Sequence, residues 1–347
     1  MTEPILVLAW LVLAHFAADF LFQTGRIAHA KASSGSRAFS GLLAHGLIVA
    51  ALLVPVGLAY GAPGWLLLVL IVVSHIAVDR AKVLLTRRAA FRALAEAHHR
   101  HEGPHPADHL GRAWTPGPAA LFALDQALHL AVAAVLWAVI LVPAEPLAGW
   151  SSTIDGWLGV WDRAVVHDVV SSAVVLVSLA IVNIQAAALF VAVLVRPVEQ
   201  SEGEMRWGGR AASAAGPSTA PAAVATPAVR RWSVRLGPLD AHIEAEPDAP
   251  RTVGATAGGA PGPAVLPPAA RVGATIGILE RILIVVFVLT GSEAAIGFVV
   301  AAKTLARFRL LDDRDFAEYY LLGTLASVAV AIVSALIARL ALQTLLG

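Results

Sequence analysis

The chain has 347 residues, 58% of them hydrophobic and 14% charged, with a mean hydropathy of +0.75. Soluble domains are nearer a quarter charged, so this composition excludes an ordinary soluble fold. A net charge of +1 leaves no basic excess for nucleic-acid binding, and the absence of cysteine excludes disulfides, thiolate metal sites and thiol catalysis.

Several apolar runs reach about 18 residues or more, the length that crosses a hydrocarbon core of about 30 Å. The first candidate span is Ile5–Phe22. It has no basic stretch before it and no clear cleavage site after it, so it is expected to stay in the protein rather than serve as a signal peptide. It carries His15 and Asp19, with Gln23 just beyond, at i, i+4 and i+8 on one helical face. The second span, Gly41–Tyr60, carries His45. The turn Gly61-Ala62-Pro63-Gly64 then pairs it with the third, Trp65–Leu85, which carries His75, Asp79 and Lys82 at i, i+4 and i+7. A loop with His98, His99, His101, His105 and His109 follows; it is either a metal-gathering tract or a solvated polar loop. The fourth span, Ala119–Val142, carries Asp125, Gln126 and His129. The fifth is Val169–Val195.

Residues 196–270 have the composition of a disordered linker, because Ala, Gly and Pro fill half of them and no helical period survives. Within it, Arg231 to Glu246 alternates apolar and polar residues, so that patch reads as a short hairpin or as disorder like its surroundings. Three more spans follow: Thr275–Thr290, Glu293–Leu310 and Tyr319–Leu346. The seventh carries Lys303 and Arg307, and an interfacial or re-entrant helix is its alternative reading. Pairing of Glu280 and Glu318 with Lys303 and Arg307 accounts for the charges of this last part.

The pattern is that of an all-α, polytopic transmembrane helix bundle of about eight spans. It divides into a five-span membrane domain over residues 1–195, a cytoplasmic linker over 196–270 and a membrane unit of two or three spans over 271–347. Lys and Arg gather in alternate loops. Arg26, Lys31 and Arg37 follow span one, and the stretch from Arg80 to Pro118, at the end of span three and beyond it, holds Arg80, Lys82, Arg87, Arg88, Arg92, Arg100 and Arg112. The intervening loops hold only Arg163. The positive-inside rule therefore puts these two stretches in the cytoplasm and both termini outside.

Ionisable groups inside a bilayer are costly and usually face the bundle interior. At a rise of about 1.5 Å per residue, His15, Asp19, His45, His75, Asp79, Asp125 and His129 all lie about 5–15 Å inward from the cytoplasmic ends of their spans. Helices of alternating direction thus place seven polar groups in one layer. The order His-x3-Asp then His occurs twice, once in spans one and two and again in three and four. A set of interhelical hydrogen bonds that merely holds the helices together is the plain explanation. Seven ionisable groups exceed what such bridging needs, and imidazole with carboxylate suits Zn, Fe or Mn.

The string Ala14-His15-Phe16-Ala17-Ala18-Asp19-Phe20-Leu21-Phe22-Gln23 resembles the opening motif of the domain of unknown function 3307 family of bacterial inner-membrane proteins. So do His45, Ser74-His75-Ile76-Ala77-Val78-Asp79 and Leu124-Asp125-Gln126-Ala127-Leu128-His129. The likeness covers about the first 140 residues. Gly277-Ile278-Leu279-Glu280-Arg281, Ala301-Ala302-Lys303 and Glu318-Tyr319 with Gly323-Thr324 resemble the tail of its longer members. The resemblance implies the bacterial inner (plasma) membrane and a shared polar motif, with no activity or substrate. A more distant likeness is to inner-membrane metal-dependent hydrolases, which also place His and Asp on short apolar helices.

These readings lead to one main expectation, a divalent-metal site near the cytoplasmic side. His15, Asp19, His45, His75, Asp79, Asp125 and His129 are its candidate ligands, with Gln23, Lys82 and Gln126 as further polar neighbours. A metal-activated water would make the protein a hydrolase. A transporter or proton-coupled carrier with an Asp/His relay is the rival, and a scaffold that recruits a cytoplasmic partner through the linker is a third class. The lipid bilayer is the one partner the composition demands; the substrate stays unknown.

Overall fold

Backbone groups in hydrocarbon must bond within their own segment, so apolar runs of this length can only be helices. A computed structural model of the protein describes residues 3–101, 116–147, 149, 156, 159, 162–195, 234–236, 239–241, 268–312 and 314–347. The first helix, α1 (Glu3–Phe16), runs on through a π-turn at Ala17–Phe22. After it come α2 (Gly25–Lys31), α3 (Gly35–Tyr60), α4 (Ala62–His101) and α5 (Gly117–Leu136), the last extended by a π-turn at Trp137–Leu141. Next, α6 (Arg163–Ile181) passes through a π-turn at Val182–Ala186 into α7 (Ala187–Val195). The final helices are α8 (Pro268–Leu289), the short α9 (Ala295–Ala306) and α10 (Arg314–Leu346). The fold is all-α and polytopic.

Among the described residues, six helical stretches are long and apolar enough to cross a bilayer: Pro4–Phe22, Gly35–Tyr60, Ala62–Ala89, Gly117–Leu141, Arg163–Val195 and Phe316–Leu346. They correspond to six of the eight expected spans and make this a multi-pass membrane protein. The sixth expected span lies in α8. The seventh shrinks to α9, whose 12 residues reach about 18 Å and fall short of the hydrocarbon core. It still returns the chain. Arg281 donates to Ser327 Oγ at 3.1 Å and Arg339 to the Val288 carbonyl at 3.4 Å, so α8 and α10 rise side by side in the same direction.

Part of the stretch expected to be a disordered linker is ordered at two places. Strands β1 (Val234–Leu236) and β2 (Leu239–Ala241) pair antiparallel with Leu236 opposite Leu239, so the hairpin reading of Arg231 to Glu246 is the one seen. Helix α8 begins at Pro268, just inside the expected linker. The rest of that linker, His105, His109 and Arg112 of the histidine-rich loop, and the side chains of His98, His99, Arg100 and His101, lie outside the described residues.

Helices α1, α3, α4 and α5 form a four-helix bundle of alternating direction. Trp10 Nε1 donates to the Leu52 carbonyl at 3.1 Å and Trp137 Nε1 to the Pro4 carbonyl at 2.7 Å, which sets α1 antiparallel to both α3 and α5. Leu11, Val49, Leu53, Leu67 and Ile71 build its dry core. The tight turn into α4 needs Gly61 at φ 62°, and a Cβ on Gly64 would stand 2.4 Å from the Val56 carbonyl oxygen. At the opposite end, α2 folds back onto α3. There a Cβ on Gly41 would stand 2.6 Å from the Lys31 backbone nitrogen. This close approach carries the Lys31 side chain inward, where it is 7% exposed.

The segments before and after the linker pack as one unit. Leu345 and Ala338 near the C-terminus share a cluster with Val175 and Leu179 of α6 and with Ile5 and Leu6 of α1. Both chain ends therefore lie at the same end of the bundle.

Replacing Gly41 with leucine should push α2 away from α3 and destabilise the protein by about 1–3 kcal/mol, the scale of overpacking. Thermal unfolding of the detergent-purified variant measures this. An unchanged midpoint would mean that α2 does not depend on the contact.

Candidate metal centre

The π-turn at Ala17–Phe22 makes Ala17, Ala18 and Asp19 consecutively buried, which a regular α-helical face would not do. π-Turns inside α-helices are frequent at functional sites. Here the turn directs Asp19 toward the middle of the bundle beside His15, one helical turn earlier. Gln23 does not continue that face. It caps the helix with ψ 95° and accepts a hydrogen bond from Lys31 Nζ at 2.6 Å.

His45 of α3 is fully buried at the centre. Its Nε2 lies 3.1 Å from Asp19 Oδ1 and 2.9 Å from Nε2 of His75 on α4. His75 Nε2 in turn lies 3.3 Å from the same Asp19 oxygen. Two imidazole nitrogens and one carboxylate oxygen thus form a nearly equilateral triangle. His45 Nδ1, on the far side of its ring, has no hydrogen-bond partner.

Around this triangle the remaining groups are ordered by hydrogen bonds. Asp79 Oδ2 stands 3.6 Å from His45 Nε2 and 2.5 Å from Lys31 Nζ. Asp125 on α5 is paired with Lys82 on α4 at 2.7 Å. The Gln126 amide donates to Asp19 Oδ2 at 3.1 Å and to Asp125 Oδ2 at 3.0 Å, while its oxygen accepts from His15 Nε2 at 3.2 Å. Both ring nitrogens of His129 face backbone carbonyls, Nδ1 that of Asp125 at 2.8 Å and Nε2 that of His75 at 3.3 Å. The His129 ring lies against His75 and His15, with centroids 4.1 and 4.9 Å away.

All seven residues singled out as candidate ligands therefore meet in one cluster, and none is more than 9% exposed. Three ligand-like trios occur among the described residues: Asp19, His45 and His75; His15, His75 and His129; and Asp79, Asp125 and His129. The two His-x3-Asp repeats are not equivalent. His45 binds the aspartate of its own half and the histidine of the other, whereas His129 turns to its own helix.

Formal charge separates the trios. With neutral imidazoles the cluster holds three carboxylates and two ammoniums. Lys31 faces Asp79 and Lys82 faces Asp125, whereas among the described residues no lysine or arginine pairs with Asp19. A buried charge left in that state is strongly unfavourable. The Asp19, His45 and His75 trio is thus the place where one more positive charge belongs. Beside the cluster, a cavity of about 20 Å³ touches His15, Ser74, His75 and His129 and is otherwise apolar. That is room for one water molecule.

Sequence reasoning missed Lys31 as a member, because it counted only as a loop charge. Its inward path comes from the Gly41 contact, and nothing in the local pattern announces it. The C-terminal charges also differ from expectation. Glu280 does pair with Lys303 at 2.5 Å, but Glu318 pairs with Arg314 at 3.0 Å, and Arg307 lies over the Tyr320 ring at 5.6 Å. Arg281 is buried and anchored to the Asn183 carbonyl at 2.6 Å, a group in the π-turn at Val182–Ala186.

Neither the curated proteins nor the solved structures contain a match to this chain. A family model described as "Protein of unknown function (DUF3307)" matches residues 7–157 and so takes in every one of the seven cluster residues. The part of the chain that builds the His/Asp cluster, residues 7–157, belongs to the DUF3307 family.

Proposed function

We propose that this protein is an intramembrane metalloprotein of the bacterial inner membrane, with one divalent ion of the Zn, Fe or Mn class held by Asp19, His45 and His75. The observation that carries this reading is the triangle of donor atoms with edges of 2.9, 3.1 and 3.3 Å. Donors around a tetrahedral ion with bonds of about 2.0–2.1 Å stand about 3.3 Å apart, so the three atoms are already near ligand spacing. The uncompensated Asp19 charge supports it as well, since a divalent ion would carry the cluster from a net −1 to +1 and a bound hydroxide would then close the balance. Gln126, Lys31 and Lys82 would orient the surrounding carboxylates, and such outer partners tune metal affinity.

A bound ion would supply Lewis acidity to a water, and hydrolysis is the use we assign to it. His15 borders the water-sized cavity and connects through Gln126 to Asp19, which places it to take the proton. A second reading has its own support. The hydrogen-bonded path Asp19–His45–His75 could relay a proton without any metal, as a proton-coupled carrier would require.

Elemental analysis of detergent-purified protein should find about one divalent ion per chain. Asp19→Asn, His45→Ala and His75→Ala should lose it, while Gln126→Leu should weaken binding by about 10–100-fold. Protein that neither holds nor takes up metal would overturn the metal reading in favour of the relay.

We further place both termini outside and residues 196–270 in the cytoplasm, so that the cluster lies in the cytoplasmic half of the bilayer. Reporter fusions after Gly64 and Trp150 should give an external signal and a fusion after Ala220 an internal one. An external signal at Ala220 would reverse this orientation.

A further inference from the structure

A cleft of about 820 Å³ runs between α1, α5, α6, α7 and α10. We infer that it seats the hydrocarbon chain of an amphiphilic ligand whose polar head lies at the His/Asp cluster, so that the substrate of the proposed metal centre is a membrane lipid. This inference rests on the metal reading only for the chemistry at the head.

The cleft has the length of a lipid chain. On α10 its wall extends from Ala326 to Leu345, about 28 Å at 1.5 Å per residue and close to the thickness of the hydrocarbon core. On α1 it follows Ile5, Ala9, Val12 and Phe16 along a single helical stripe. Alanines on both sides, Ala9 on α1 and Ala326, Ala329, Ala338 and Ala341 on α10, fill little of the space between the walls.

Its chemistry selects hydrocarbon. The polar side chains in the wall are Ser178, Ser334 and Thr344. Each hydroxyl donates to a carbonyl of its own helix: Ser178 to Val174 at 2.7 Å, Ser334 to Ala331 at 3.2 Å and Thr344 to Leu340 at 2.8 Å. No hydroxyl proton is left for the cleft. Water there would lack the two to four polar partners it needs. The surrounding solvent is lipid, so an alkyl chain is the occupant that fits both wall and medium.

One end of the cleft adjoins the cluster. Phe16 lines the cleft and its ring centroid lies 5.5 Å from that of His15. Leu130 lines it too and follows His129 in sequence. A chain lying in the cleft would therefore end beside Phe16 and Leu130, next to the cluster. A metal there would receive a phosphate or carboxylate head. The outer wall is held in place from behind: Asn183 donates to Ser334 at 3.0 Å, and Arg281 grips the Asn183 carbonyl.

The test uses the full chain in nanodiscs that contain a phospholipid with a photoactivatable group on its chain. Cross-linked peptides are mapped by mass spectrometry, and metal content is measured on the same samples. Label should concentrate on α1 and α10 at the cleft. It should fall about tenfold in Asp19→Asn, which removes a ligand of the ion that would hold the head, and likewise in Ala329→Phe, which fills the cleft. Label spread evenly over lipid-facing positions such as Val139 and Phe298 would overturn the inference, as would cross-links that join two copies of the protein through the cleft. Cleft labelling that ignores Asp19→Asn would overturn the placement of the head. The wild-type label map decides the first point even if a variant fails to fold. Cluster-dependent labelling of metal-free protein would leave the lipid inference standing and remove the metal reading.

Discussion

A carboxylate surrounded by hydrocarbon has to be met by opposite charge or by several hydrogen bonds, and three of them share one layer of this bundle. Lys31 and Lys82 meet two, from different elements: Lys31 on α2 reaches Asp79 on α4, and Lys82 on α4 reaches Asp125 on α5. Asp19 is met by imidazoles and an amide alone. Removing one partner of a buried ion pair costs about 3–5 kcal/mol because the other charge is left alone, so these contacts fix which residues of α2, α4 and α5 face one another rather than adding stability beyond apolar packing of the same size. The remainder of the four-helix bundle is arranged around that need. The dry core of Leu11, Leu53 and Leu67 fills one end, and the ion pairs close the other.

The short helix α2 shows how a local backbone contact serves the electrostatics. Thr24 caps it by accepting from the Ile27 amide at 3.4 Å, and Gly41 lets it lie directly on α3. Neither residue touches the cluster. Together they position α2 so that the Lys31 stem enters the layer, its aliphatic part buried and its ammonium between Gln23 and Asp79. Arg87 reinforces the same corner from α4 by donating to the Ala32 and Ser33 carbonyls at the end of α2.

The C-terminal helices meet a similar demand by different means. Arg281 has neutral partners, the Asn183 carbonyl and the Ser327 hydroxyl, and that carbonyl lies in a π-turn. Such a turn releases backbone groups from the regular helical pattern. Helix α8 thereby becomes a strut between α7 and α10, with Ile284 and Val288 packed on Ala331 and Ala335. The apolar cleft lies between α10 and α1, which meet in one cluster at Ile5, Leu6, Ala338 and Leu345.

Much of the site was legible in the sequence because membrane burial makes polar residues informative. A His or Asp in an apolar run must turn inward, and alternating helix directions convert sequence position into depth. His15, Asp19, His45, His75, Asp79, Asp125 and His129 could be assigned to one layer on those grounds alone, and the helical class followed from length and apolarity. Other features depend on contacts between residues distant in the chain, which no local pattern encodes. Lys31 enters the layer only through the approach of α2 to Gly41. The turn at Asp19 and the end of the helix before Gln23 depend on local backbone geometry that periodicity does not reveal. The parallel course of α8 and α10 comes from contacts between them, Arg281 with Ser327 and Arg339 with the Val288 carbonyl. The sequence by itself determined which residues must avoid lipid, because solvation is a property of each side chain. The tertiary structure decided which of them face one another, because partnership is a property of pairs.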